Sequence, residues 1–203
     1  MAATSADDHK AIEAAFDAAQ ARTRAPLMGV AVEASADYAA APLAMALVLI
    51  LAAPWPLLLL TRVSAERIFA FQLGLALVAL ALASFTSVRV WLTPRRARRA
   101  NAHKAALAQF AVRGGEHAPE RNAVLIYVSL AERYARIVAG DEASRHISAQ
   151  QWQGVVDGLT ADMAKGDLKA AMSGAAGKAA DMLAPHFPPI GEPAPKGARF
   201  HSA

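Results

Sequence analysis

Two stretches without a single charge constrain this chain more than anything else in it. Residues 39–60, AAAPLAMALVLILAAPWPLLLL, and 68–88, IFAFQLGLALVALALASFTSV, are each about twenty uncharged residues long. At about 1.5 Å of rise per residue, that length crosses a hydrocarbon core about 30 Å thick. One such helix could be the buried core of a soluble domain. Two in a chain of 203 residues are expected to span a membrane together, as a helical hairpin over residues 39–92. The link between them, TRVSAER, leaves room only for a tight turn. Pro54 and Pro56 remove backbone donors and should kink the first helix near its end, with Trp55 at the interface. Composition agrees, with 55% hydrophobic and 19% charged residues and a mean hydropathy of +0.25.

Orientation follows from the arginines. Arg89, Arg95, Arg96, Arg98 and Arg99 flank the end of the second run, whereas the connecting loop holds only Arg62 and Arg67. Excess positive charge stays on the cytoplasmic side, which puts both termini there. The residues before the first run are too polar, and the run lies too far from the start, for a cleavable signal peptide. Arg95, Arg96, Arg98 and Arg99 are candidate contacts for anionic lipid headgroups, at about 1 kcal/mol each near the surface. Neither interleaved aromatics nor a binding motif accompanies them, so nucleic acid is not an expected partner. The apolar runs hold no ionisable residue at mid-depth, which argues against an ion path through one protomer. A pore or transporter component would need oligomerisation, which the sequence leaves open. Ala76, Ala79 and Ala83 share one face of the second helix and suit close packing against the first.

The soluble pieces lie on either side. Residues 5–24 carry Ile12, Ala15, Phe16 and Ala19 at helical spacing, with Ser5 and Asp8 as an approximate capping pair. LMGVAVEA, residues 27–34, places Met28, Val30, Val32 and Ala34 on one face and small or apolar residues on most of the other, the pattern of a strand covered on both sides. After the hairpin a helix is expected, with Leu107, Phe110 and Ala111 inward and a stop at Gly114 and Gly115. AVLIYVSL reads as a central strand and RYARIVA as an edge strand with Arg136 outward, joined by a turn at Ala131, Glu132 and Arg133. Ser148 and Gln151 start a helix that buries Trp152, Val155, Val156, Leu159 and Met163. A last helix from Asp167 to about Ala184 presents Leu168, Met172, Ala175, Ala179 and Leu183. From Pro185 on, the proline-rich and glycine-rich sequence reads as a disordered tail, 185–203. Residues 5–37 and 95–184 then form one α/β domain, a short mixed sheet with helices on its faces, interrupted by the hairpin.

These pieces resemble the TPM domain. The resemblance rests on VAVEAS, on VLIYVSLAERYARIVAGD with Glu132 and Arg133 at its turn, and on QQWQGVVDGLTADMAKGDLKAAMSGAAGKAADML with Trp152 and the KGD before the last helix. It covers most of the chain except the tail, in a variant whose domain is split by two transmembrane helices. It implies an α/β fold, accessory roles around membrane complexes in some members and phosphatase activity in others. Typical members follow the second strand with a glycine-rich acidic stretch resembling GYGLE. Here AGDEASRHI keeps Gly140, Asp141 and Glu142 and departs from the rest.

Phosphoryl hydrolysis needs a nucleophile or activated water, and groups that neutralise phosphate charge. The sequence has neither a phosphate-cradling glycine loop with lysine nor a recognisable Ser/His/Asp constellation, and no catalytic residue is assigned. The chain has no cysteine, which removes thiolate chemistry. Asp141 and Glu142 could hold calcium together with carbonyls or Glu132, although adjacent loop carboxylates are ordinarily solvated. Otherwise no cofactor is expected. His146 reads as an exposed loop residue, and His9, His103, His117, His186 and His201 show no zinc spacing. Arg121, Glu132, Arg133, Asp141 and Glu142 are the candidate surface for a partner, expected to be a membrane protein. The whole reads as a protein of the bacterial inner membrane whose cytoplasmic domain is a non-enzymatic accessory module. A metal-assisted phosphatase is the alternative.

Overall fold

The structure is a computed structural model that describes residues 6–38, 40–61, 64–117, 121–189 and 199–202. The chain divides into two compact units, one of residues 1–35 and 102–203, the other of residues 36–101.

The larger unit is built on a four-stranded mixed sheet of β1 (Leu27–Val32), β2 (Val124–Ser129), β3 (Tyr134–Ala139) and β4 (Phe200–Ser202), in the order β3-β2-β1-β4. β1 runs parallel to β2 with Leu27 opposite Val124 and Val32 opposite Ser129, so strands from before and after the apolar runs are direct neighbours. β2 and β3 form an antiparallel hairpin, and β4 lies parallel to β1. Side chains alternate between faces along a strand. Leu27 and Ala31 of β1 and Val124, Ile126 and Val128 of β2 join one core. Met28, Val30, Leu125 and Tyr127 join a second core on the other face, together with Val138 of β3. Both central strands are therefore covered on both sides, and such a strand cannot stand alone because each face would expose its apolar row.

The first core is closed by α1 (Ala6–Gln20), α8 (Ala149–Ala164) and α9 (Leu168–Leu183). In α1, Ile12 and Phe16 are fully buried. Its proposed cap residue Ser5 lies outside the described residues. Gln20 is buried where α1 ends: its amide nitrogen donates to the carbonyls of Thr23 (2.7 Å) and Ala25 (3.0 Å), and its oxygen accepts from Leu27 N–H (2.8 Å). That one side chain ties the helix to the start of β1. α8 begins with the expected capping box, Ser148 accepting from Gln151 N–H while the Gln151 side chain returns to Ser148 N–H. Met172, Ala175, Ala179 and Leu183 of α9 are buried, and the alanines let the helix pack closely on α1 and α8.

The second core is closed by α6 (Arg95–His117). Its inward row is Ala102, Ala106 and Phe110, whereas Leu107 is 43% exposed and Ala111 is also exposed, and the helix runs through Gly114 and Gly115 to His117. The expected phase was displaced because alanine fills this helix: small residues approach the sheet and carry almost no periodic signal. Arg136 is likewise folded inward, its Nη1 2.6 Å from His103 Nδ1, instead of pointing outward from an edge. Since a guanidinium only donates, Nδ1 of His103 is the acceptor.

The tail expectation fails at both of its described ends. Phe187 is buried, its carbonyl accepting from Arg24 N–H (3.0 Å) and the Thr23 hydroxyl (2.9 Å), and Phe200–Ser202 is β4. A three-residue strand is too short to show periodicity, and its partner lies about 170 positions away, so no local signal exists. Residues 190–198 lie outside the described residues.

The second unit contains α2 (Ala40–Ala52), α3 (Pro54–Leu60), α4 (Ala65–Ala83) and α5 (Thr86–Leu92). The helix breaks at Ala53 before Pro54 and Pro56, as expected from their missing donors. Pro54 cannot donate to the Ile50 carbonyl four residues back, and that carbonyl accepts instead from the Gln72 amide of α4 (3.3 Å). Ala76 and Ala79 are half-buried and Ala83 buried, while Phe69, Leu73 and Leu77 are exposed, and α4 packs on α2. Residues Pro42–Leu60 and Ala65–Ala83, 19 residues each, are long and apolar enough to cross a membrane. A second break at Ser84 and Phe85 starts α5, which the uninterrupted apolar run concealed.

Candidate functional site

The five residues expected to form one surface lie at opposite ends of β2. Six residues of strand separate the two ends by about 20 Å, so Arg121, Glu132 and Arg133 do not form one cluster.

At the start of β2, Arg121 adopts a left-handed conformation with φ 55°. Asp141 and Glu142, expected in a loop, open the short helix α7 (Asp141–His146), with Gly140 as its N-cap. Gly140 N–H extends the hairpin by donating to the Ala123 carbonyl (2.8 Å), and Glu142 N–H donates to the Arg121 carbonyl (3.1 Å). The backbone at Arg121 thus lies directly on Gly140. Arg121 Nη2 also pairs with Asp141 Oδ2 at 2.5 Å, while Glu142 takes Arg145 Nη1 at 2.8 Å and faces His146 Nε2 at 3.6 Å. These pairs are solvent-exposed and contribute about 0–1 kcal/mol each. Their chemical effect is larger than their energetic one, because both carboxylates that could face a cation already face basic groups.

His146 is not an isolated loop residue. Its ring stacks on His186 at 4.8 Å and meets Phe187 edge-on at 5.6 Å, joining α7 to the chain after α9. His186 is forty positions away, so no spacing rule would pair them. Among the described residues, no group of three or more histidines and carboxylates could hold a metal ion.

At the other end, Glu132 serves the fold. Its Oε1 accepts from Ser35 N–H beyond β1 (2.8 Å), and its Oε2 accepts from the fully buried Ser129 hydroxyl at the end of β2. Tyr127, 1% exposed, donates its hydroxyl to Ser35 Oγ at 3.0 Å. Burial holds that phenol above its usual range, the Ser35 bond partly opposing and the charge on Glu132 adding to it. The network fastens the carboxyl ends of the two parallel strands. Arg133, φ 50° and exposed, completes the turn.

Of the arginines near the second apolar run, Arg89 is used within its own unit: Nε donates to the Ala83 carbonyl at the end of α4 and Nη1 pairs with Asp37 at 3.4 Å. Arg95, Arg96 and Arg99 are exposed in the first turns of α6, and Arg98 is half-buried with its Nε lacking a hydrogen-bond partner among the described residues.

The TPM domain family matches residues 70–182, more than half of the 203 residues. The matched stretch begins inside α4 and omits α1 and β1, although β1 is a central strand of the same sheet. No curated protein matches the chain. Among solved structures, it is similar to the NMR structure of the BA42 protein from the psychrophilic bacterium Bizionia argentinensis, with a TM-score of 0.59 over 98% of this chain and 94% of that one. At 13% identity this likeness concerns the fold alone. Together with the parallel β1–β2 pair, the β2–β3 hairpin and the capped helix after it, the match over 70–182 establishes that this chain belongs to the TPM domain family.

Proposed function

We propose that the chain is an integral protein of the bacterial inner membrane, with both termini cytoplasmic, whose TPM unit is a non-enzymatic interaction or accessory module for a membrane-protein complex. The observation carrying the non-enzymatic reading is the state of the two acidic residues after β3. A metal-assisted hydrolase needs carboxylates free to hold an ion, and here Asp141 faces Arg121 and Glu142 faces Arg145 and His146. Calcium would have to displace these basic partners.

Membrane integration is supported by the exposed apolar surface of α3 and α4, where Leu59 and Leu60 are 78% and 82% exposed and Phe69 is 67% exposed. In water so many large apolar groups would be costly, and in lipid they are solvated. The arginines of α6 fit the same reading. Positive charge at a helix N-terminus opposes the macrodipole, a cost of about 0.3–1 kcal/mol per charge, and contact with anionic headgroups offsets it.

The test is a phosphatase assay on the full-length chain in mild detergent, with a generic phosphate ester and calcium, magnesium or manganese. Turnover at the level of the detergent blank with every ion, unchanged in Asp141→Ala, is the expected result. Robust turnover that Asp141→Ala abolishes would replace the accessory role with a metal-assisted phosphatase.

A further inference from the structure

The C-terminal strand is short, and two histidines stand beside its anchor. β4 is three residues long, occupies the edge of the sheet beside β1, and among the described residues pairs with Gly29, Val30 and Ala31. Gly29 N–H donates to the Arg199 carbonyl at 2.8 Å just before it. Its apolar anchor is Phe200, 1% exposed, whose ring lies 4.9 Å from that of His9 and 6.2 Å from that of Phe16, both on α1. Arg199 pairs with Asp17 of α1 at 3.2 Å. The next residue after the anchor is His201, half-buried, with Glu13 and His9 of α1 and Arg113 of α6 as its charged and titratable neighbours. β1 contributes no titratable group opposite β4.

We propose that β4 is a proton-sensitive latch, docked on the edge of β1 while His201 is neutral and released when His201 takes up a proton. A charged imidazolium in this place would be partly desolvated and opposed by the charge of Arg113, with Glu13 offsetting part of that. Burial first, then Arg113 and His9, hold the docked His201 below the ordinary imidazole range, Glu13 opposing them. Once undocked, the side chain returns to its ordinary value of about 6.5. The docked strand therefore binds protons more weakly than the free one. Docking is strongest above that value and weakens as pH falls through the window beneath it, down to the depressed value of the docked state. Release uncovers the N–H and C=O groups of Gly29–Ala31 that face β4, together with the side of Phe16 against which Phe200 packs.

The test is hydrogen–deuterium exchange of the full-length chain in mild detergent at pH 7.5 and 5.5, corrected for intrinsic exchange rates. The amides of Phe200–Ser202 should lose protection severalfold at pH 5.5 while those of Leu125–Val128 in β2 keep theirs. His201→Gln and His201→Thr should hold β4 equally protected at both pH values. Equal wild-type protection at the two pH values would overturn the latch. So would a parallel loss in β2, an undiminished loss at pH 5.5 in both variants, or loss of docking at pH 7.5 in both variants.

Discussion

Replacing Gly140 with alanine tests whether the backbone at Arg121 and the start of α7 are packed as tightly as the structure has them. A methyl group there would lie 2.7 Å from the Arg121 carbonyl carbon and closer to its oxygen, where ordinary contact begins at 3.4 Å. The obstacle is backbone, so no side chain can swing aside. Relief requires the two segments to separate, which stretches the bonds from Gly140 N–H to Ala123 and from Glu142 N–H to Arg121. Overpacking costs about 1–3 kcal/mol and each of the two weakened bonds about 1 kcal/mol, so about 3–5 kcal/mol in all is expected. That lowers Tm by roughly 9–15 °C at about 3 °C per kcal/mol for a chain of this size. Gly154→Ala is the control, because α8 leaves open space around that position. Alanine there should stabilise by about 0.5–1 kcal/mol through helix propensity and raise Tm by about 2 °C. The assay is thermal unfolding in mild detergent followed by far-ultraviolet circular dichroism. If Gly140→Ala melted within about 2 °C of the parent, the packing argument would be refuted.

Gln72→Leu should destabilise the paired apolar helices by about 0.6–1.7 kcal/mol, since the Ile50 carbonyl loses the donor that stands in for the one Pro54 lacks. Pro54→Ala restores a helical donor and should erase most of that effect, which a double-mutant cycle in denaturant titrations would read; an unchanged effect would contradict the pairing. Glu132→Ala should cost about 1–3 kcal/mol by leaving the buried Ser129 hydroxyl and the Ser35 N–H without their acceptor, while Glu132→Gln should cost less. Chemical unfolding of the two variants checks the order.

The parts of the fold that were legible in sequence are those where one short segment carries its own signal. VLIYVS is apolar on both faces because β2 is central, and Ser148 with Gln151 marks a helix start that the capping box realises. The parts that were not legible depend on partners distant in sequence or on residues with weak periodicity. Phe200 finds β1 across most of the chain, His146 finds His186, and the alanines of α6 left its phase undetermined by one position. The candidate site residues are parted in a similar way. Arg121 and Glu132 flank β2 in sequence, and the extended geometry of the strand carries them apart, whereas Arg121 and Asp141 are joined by the antiparallel return of β3. Glu132 looked like a surface charge and is a fastening between strands because Ser129 and Ser35 stand beside its carboxylate, a relation visible only once β1 and β2 are paired.

The central claim, a hairpin through the membrane with the TPM unit on the cytoplasmic side, is tested most directly by cysteine accessibility. The chain has no native cysteine, so Ser64→Cys, in the link between α3 and α4, and Ser202→Cys, in β4, each provide a single reporter. Intact cells are treated with a membrane-impermeant maleimide, and permeabilised cells serve as the reference for complete labelling. The account predicts that Ser64→Cys is labelled in intact cells and that Ser202→Cys is labelled only after permeabilisation. Labelling of Ser202→Cys but not Ser64→Cys in intact cells would contradict it.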